Sequence, residues 1–187
     1  MRYGPTFKPP SKNVLRKARQ AGGAKMFEAA EIRAMLADAV PQMKAMVLLG
    51  INCGFGNSDI AGLPHAALDL ERGWVDYPRP KTAVPRRCPL WPETISAIRE
   101  ALAVMPRPKN ASDAAFVFIN SYGNPWTNRN SRDPVSVAFT RFIKKLNLHR
   151  PGLGFYGLRQ NTRDVHNSVS KGEPACRDSV CRGGMGL

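Results

Sequence analysis

A chain of 187 residues with 43% hydrophobic content is long enough for one well-buried core and too short for two generous domains. Lys and Arg number 28 against 14 Asp and Glu, a formal charge of +14 at pH 7, which points to a polyanionic partner, nucleic acid first. The same composition excludes a disordered chain, and the absence of eighteen consecutive apolar residues excludes a membrane span.

Residues 1–25 place Pro5, Pro9, Pro10, Gly22 and Gly23 around a short basic helix candidate, Ser11 to Gln20, and read as a basic arm. Its cations Arg2, Lys8, Lys12, Arg16, Lys17, Arg19 and Lys25 all precede the first carboxylate, Glu28. From Phe27, apolar residues at helical spacing (Ile32, Met35, Leu36, Ala39) predict a helix, and Pro41 opens a second through Met43, Met46, Val47 and Ile51 to Gly54. Ser58 is the expected N-cap of a short turn, Asp59 to Leu63, stopped by Pro64. Two short strands, Gly73 to Tyr77 and Arg86 to Leu90, flank a proline-rich connection bearing Lys81 and predict a projecting basic hairpin. Pro92 starts a helix with Ile95, Ile98 and Leu102 on one face, and Phe116 to Ile119 read as a short buried strand closed by the turn Ser121 to Pro125. Asp133-Pro134 caps a helix with Val135, Ala138, Phe139, Phe142 and Leu146 on one side. A final helix is expected near Tyr156, with Leu158, Thr162, Val165 and Val169 inward. Residues 26–170 thus form the domain, and 171–187, with four glycines and no apolar period, read as a disordered or aberrant tail.

Four cysteines, Cys53, Cys88, Cys176 and Cys181, form no C-x-x-C pair and have no histidine at ligand spacing. No metal site, cofactor or disulfide framework is expected, and the setting is reducing and cytoplasmic. Met1 to Pro10 has no apolar core for a signal peptide.

Three blocks carry the chemistry. The first is Cys53-Gly54-Phe55-Gly56-Asn57-Ser58-Asp59-Ile60-Ala61-Gly62-Leu63. The second, Pro78 to Leu90, holds Arg79, Lys81, Arg86 and Arg87 in a stretch free of acids from Asp76 to Glu93. The third is Gly154-Phe155-Tyr156-Gly157-Leu158-Arg159-Gln160-Asn161-Thr162. Singly, Lys81 reads as a solvated hairpin lysine, Arg159 as a surface residue and Tyr156 as a packed ring; order and spacing together favour a phosphodiester-handling site.

In that order the blocks resemble the catalytic domain of tyrosine recombinases, the phage-integrase family, over roughly Phe27 to Val169. The resemblance implies an α+β, mostly helical fold with a small antiparallel basic hairpin, a duplex DNA partner, and a role in DNA integration or site-specific recombination of a mobile element. Gly54, Ser58, Asp59 and Leu63 keep the frame of the family's G-x-R-x-x-E-x-x-x-L block, with Gly56 in the arginine's place. Lys81 corresponds to the hairpin lysine that acts as general acid. Arg159 corresponds to the phosphate-clamping arginine of the H-x-x-R box, with Tyr156 in the histidine position and Gln160 where a second histidine is common. Arg79, Lys81, Arg86, Arg87 and Arg159 are the expected DNA contacts. Nothing from Lys171 to Leu187 aligns with the helices that bear the family's nucleophilic tyrosine, so the expectation is binding without cleavage. Further partners implied are an intact integrase or a second copy. The rival expectations are a non-catalytic module competing at recombination sites, a basic RNA-associated protein, and a frame-shifted pseudogene product.

Overall fold

A computed structural model describes residues 26–127 and 133–162, together with 11, 13 and 14. Most of the expected basic arm, the whole expected tail, and Val165 and Val169 lie outside these residues. Five helices and three short strands follow in order: α1 (Ala29–Asp38), α2 (Pro41–Asn52), α3 (Asn57–Ala61), β1 (Leu68–Asp69), β2 (Trp74–Asp76), β3 (Arg87–Pro89), α4 (Pro92–Ala103) and α5 (Pro134–Lys145). Residues 156–162 are also helical. No helix among the described residues is long and apolar enough to cross a membrane.

Proline at the first helical position starts α2, α4 and α5, where its missing N–H costs nothing because that donor has no intrahelical acceptor. The Asp133 carboxylate accepts the Ser136 amide at 3.2 Å, and Lys144 and Lys145 complement the dipole at the far end of α5. Helix α2 is the central element, buried from Met43 through Asn52 except at Lys44, and it packs chiefly against α4. Gly50 allows a close approach: a Cβ there would stand 3.3 Å from the Leu158 side chain. Phe139 of α5 centres an aromatic group, with rings of Phe27 at 5.8 Å and Phe155 at 5.2 Å, both edge-on.

One buried polar residue ties helix to sheet. Asn52 donates to the Pro89 carbonyl at 3.0 Å, and its Oδ1 accepts from the Trp91 amide at 2.8 Å and the Thr94 hydroxyl at 3.1 Å. All three partners belong to the link from β3 into α4, so this side chain sets where the hairpin leaves the core.

The strands run antiparallel in the order β1-β2-β3, with Leu68 opposite Val75 and Val75 opposite Cys88. Backbone pairing continues beyond β2 and β3, since Tyr77 N–H donates to Arg86 O and Arg79 N–H to Val84 O, each at 3.0 Å. Pro78 and Pro80 alternate with these two donors, and so fall where the ribbon needs no N–H. The tip closes on the Arg79 carbonyl, with Ala83 at φ 51.

Two expectations are corrected, and one strand is added. The short turn is a helix capped by Gly56 rather than Ser58, because the Asp59 carboxylate accepts the Gly56 amide at 2.9 Å and starts the helix earlier. Phe116 to Ile119 form no named strand: Phe116 bridges Pro64 and Ile119 bridges Pro125, once each. A proline in each partner segment removes the donor that a second rung would need. Strand β1 was not expected, being only two residues long.

Candidate nucleic-acid interface

The first block turns sharply where α2 ends. Gly54 sits at φ +63, in the left-handed region that favours glycine, and a Cβ there would meet Arg159 Cγ and Thr162 Cγ2 at 3.7 Å. The third block thus lies directly over the first. Thr162 reaches back with its hydroxyl to the carbonyls of Gly50 at 3.1 Å and Ile51 at 2.6 Å, while Asn161 pairs with the backbone of Phe27 in both directions.

Beneath the turn, Asp59 is 5% exposed. Its Oδ2 accepts both the Gly56 amide and, at 3.1 Å, Nη1 of Arg86. Arg86 Nε donates to the Tyr77 carbonyl at 3.2 Å, and its guanidinium lies 4.1 Å from the centre of the Phe55 ring. Tyr77 in turn donates its hydroxyl to Gly62 O at 2.9 Å, and burial, reinforced by the Asp59 charge and opposed by Arg86, holds that phenol above its ordinary range. The second block is therefore fastened to the first by one arginine.

Above this floor is an open cleft of about 250 Å³. The first block contributes Gly56, Asn57, Ser58 and Asp59, and the hairpin contributes Arg79, Pro80 and Lys81. Asp133 lines it from the start of α5, with Tyr156 and Arg159 from the third block. Both carboxylates are committed, Asp59 to Arg86 and Asp133 to its helix cap. Among the described residues no carboxylate forms a salt bridge with Arg79, Lys81 or Arg159, so these three cations outnumber the one lining carboxylate without a cation of its own, Asp133. Arg159 lies 5.6 Å from the Tyr156 ring, which is half-exposed. Asn57 Oδ1 is buried without a hydrogen-bond partner. No group of three metal-ligating side chains occurs among the described residues.

Of the site residues expected from sequence, Gly56, Arg79, Lys81, Tyr156 and Arg159 line this one cleft. Arg86 and Arg87 do not. Arg86 is turned inward on Asp59 with its side chain 18% exposed, and Arg87 lies 4.7 Å over the Trp74 ring. The inward turn follows from the buried carboxylate, which costs several kcal/mol if left without a cation, on the order of 3–5. Sequence reasoning missed Asp133 and Asn57 as lining residues, and it missed the Asp59–Arg86 pair, whose members lie 27 positions apart in different blocks.

No family model matches this sequence, and no curated protein matches it. Solved structures do. The chain resembles the Tn1549 transposon integrase in complex with transposon right-end DNA at a TM-score of 0.62 and 16% identity, over 80% of this chain and 54% of that one. It resembles XerA recombinase at 0.61 and 12% identity, over 85% and 56%. For a lambda integrase dimer bound to a COC′ core site the values are 0.57 and 14%, over 86% and 64%. The chain thus has the fold that these recombinase structures share, mostly helical with a small three-stranded antiparallel sheet. It spans little more than half the length of the Tn1549 integrase chains.

Proposed function

We propose that the chain is a duplex-DNA-binding domain of tyrosine-recombinase type, acting in DNA integration or site-specific recombination, which holds a backbone phosphate in the cleft between hairpin and third block. The observation that carries this reading is the convergence of the hairpin cations Arg79 and Lys81 with Arg159, distant in sequence, on one cleft where Asp59 is paired with Arg86 and Asp133 caps its helix. A phosphate there would meet a planar guanidinium fork from Arg159 and a point charge from Lys81. The DNA complexes among the similar structures support the choice of ligand. The overall +14 charge adds a non-specific electrostatic term.

In this reading Lys81 would protonate a leaving oxygen and Tyr156 would relay protons; that both line the cleft with Arg159 supports these roles. Two features favour binding without strand cleavage by this chain on its own. Gly56 supplies no cation, and one missing charge donor costs about 10² to 10³ in rate. Of the described tyrosines, Tyr77 is tied to Gly62 O, Tyr122 lies on the 121–125 turn outside the cleft, and Tyr156 packs beside Arg159. A nicked suicide duplex that prevents reversal tests this. The expected result is a shifted band on a native gel and no covalently trapped protein on a denaturing one; a trapped band mapped to any tyrosine would contradict it.

A further inference from the structure

The tetrapeptide Pro-Arg-Pro-Lys occurs twice in the chain, as Pro78-Arg79-Pro80-Lys81 and as Pro106-Arg107-Pro108-Lys109. The first copy reaches the cleft through Arg79, Pro80 and Lys81; the second takes no part in it. Helices α2 and α4 pack antiparallel, since Asn52 at the end of α2 bonds to Trp91 and Thr94 at the start of α4, while Lys44 near the start of α2 meets Glu100 near the end of α4 at 3.3 Å. The cleft lies just past the end of α2, at Gly56 to Asp59. The second copy follows α4 and so falls at the start of α2, and the 12 residues of that helix set the two copies about 18 Å apart along its axis. Gln42 in the first turn of α2 donates to Ile119 O at 2.8 Å, which brings the 120–124 turn to the same end.

That turn is tightly bonded. Asn120 N–H donates to Asn124 O and Gly123 N–H to Asn120 O, each at 2.9 Å, and the Asn120 side chain accepts the amides of Tyr122 at 2.9 Å and Asn124 at 3.1 Å. Lys109 N–H joins it through Gly123 O at 2.8 Å. Gly123 sits at φ +75, and a Cβ there would stand 3.0 Å from both Arg107 O and Lys109 Cγ, so the lysine stem lies against the turn. Beside it the Tyr122 side chain is 75% exposed on a fixed backbone. Proline at 108 biases Arg107 to extended backbone, in which side chains two positions apart share a side. Arg107 and Lys109 are exposed, and among the described residues neither forms a salt bridge. The acids of this end are engaged: Glu100 by Lys44, and the buried Asp113 by Asn110 at 3.0 Å.

We propose that Arg107, Lys109 and Tyr122 form a second DNA-binding surface, which takes the backbone of a second duplex while the cleft holds the first, so that one chain bridges two duplexes. The bridging rests on the cleft reading given above; the second surface adds to it. The two cations neutralise phosphates, and the phenol offers a donor to a phosphate oxygen. Because α2 and α4 stand between the surfaces, a duplex on one leaves the other open.

The test uses the full chain, a biotin-tagged duplex on beads and a fluorescent duplex of the same sequence in solution, at low salt. The unaltered chain, bound to the bead duplex, should capture the fluorescent one. The variant Arg107→Gln, Lys109→Gln, Tyr122→Ser keeps stems at 107 and 109; it should bind the bead duplex within about twofold of the unaltered chain and lower capture about tenfold, as the loss of two charge-assisted contacts implies. Binding of the bead duplex by the unaltered chain without capture would overturn the second surface and leave the cleft reading standing. Failure to bind either duplex would overturn both. A variant that still captures fully, as self-association would cause, would overturn the second surface, as would a variant that no longer binds the bead duplex.

Discussion

Arg86 is a structural cation in a box of surface cations, and its replacement separates stability from binding. Arg86→Ala strands a carboxylate that is 5% exposed. Because the guanidinium side chain is itself 18% exposed, the loss should fall somewhat below that of a fully buried pair, at about 2–3 kcal/mol. Arg87→Ala, on the outer face, should stay within about 0.5 kcal/mol. Urea unfolding of both variants measures the difference; equal midpoints would show that the Asp59 pair contributes nothing. Gly56 gives a second residue-scale prediction. Its φ of −93 suits any residue, and an added Cβ would meet only Asp59 Oδ2, at 3.8 Å. Gly56→Arg should therefore fold, tighten duplex binding by about 1 kcal/mol and steepen the salt dependence by about 1. A titration showing weaker binding would mean that position 56 does not face the phosphate. At this scale the site was half legible in the sequence. Lys81, Tyr156, Arg159 and Gly56 stand in a recognisable order, whereas the inward turn of Arg86 depends on a carboxylate brought beneath it only by folding.

At the scale of elements, junctions do more than the elements they join. Asn52 links α2 to the exit of the hairpin through three hydrogen bonds, and Asn52→Ala removes the acceptor of the part-buried Trp91 amide and of the buried Thr94 hydroxyl. The expected cost is about 3 kcal/mol, read as a shift in urea midpoint at constant slope. At the hairpin tip Ala83 holds φ 51, a conformation that costs an L-residue about 1–2 kcal/mol, so Ala83→Gly should stabilise by about 0.5 kcal/mol after the added chain entropy is counted. A destabilised glycine variant would contradict the tip conformation. Helices were legible because Pro41, Pro92 and Pro134 mark their starts and apolar spacing marks their faces. The sheet was less so. Strands β2 and β3 fall within the expected hairpin, but β1 is two residues long, too short for alternation to register, and the apolar run Phe116 to Ile119 imitates a strand while packing by single bridges.

For the whole molecule, the account rests on one joint property: cations from the hairpin and from the third block act on the same anion. General surface charge would produce DNA binding without it, so affinity alone does not decide. Two cations sharing one phosphate are coupled, and their removal is not additive. The most direct measurement is a double-mutant cycle on duplex DNA binding with Lys81→Ala, Arg159→Ala and the double variant, each titrated from low to moderate salt. Each single change should weaken binding by about 1 kcal/mol and reduce the magnitude of the slope of log K against log salt by about 1. The double variant should depart from additivity by at least about 0.5 kcal/mol. Strict additivity, or slopes equal to that of the unaltered chain, would mean that Lys81 and Arg159 share a cleft but not a ligand.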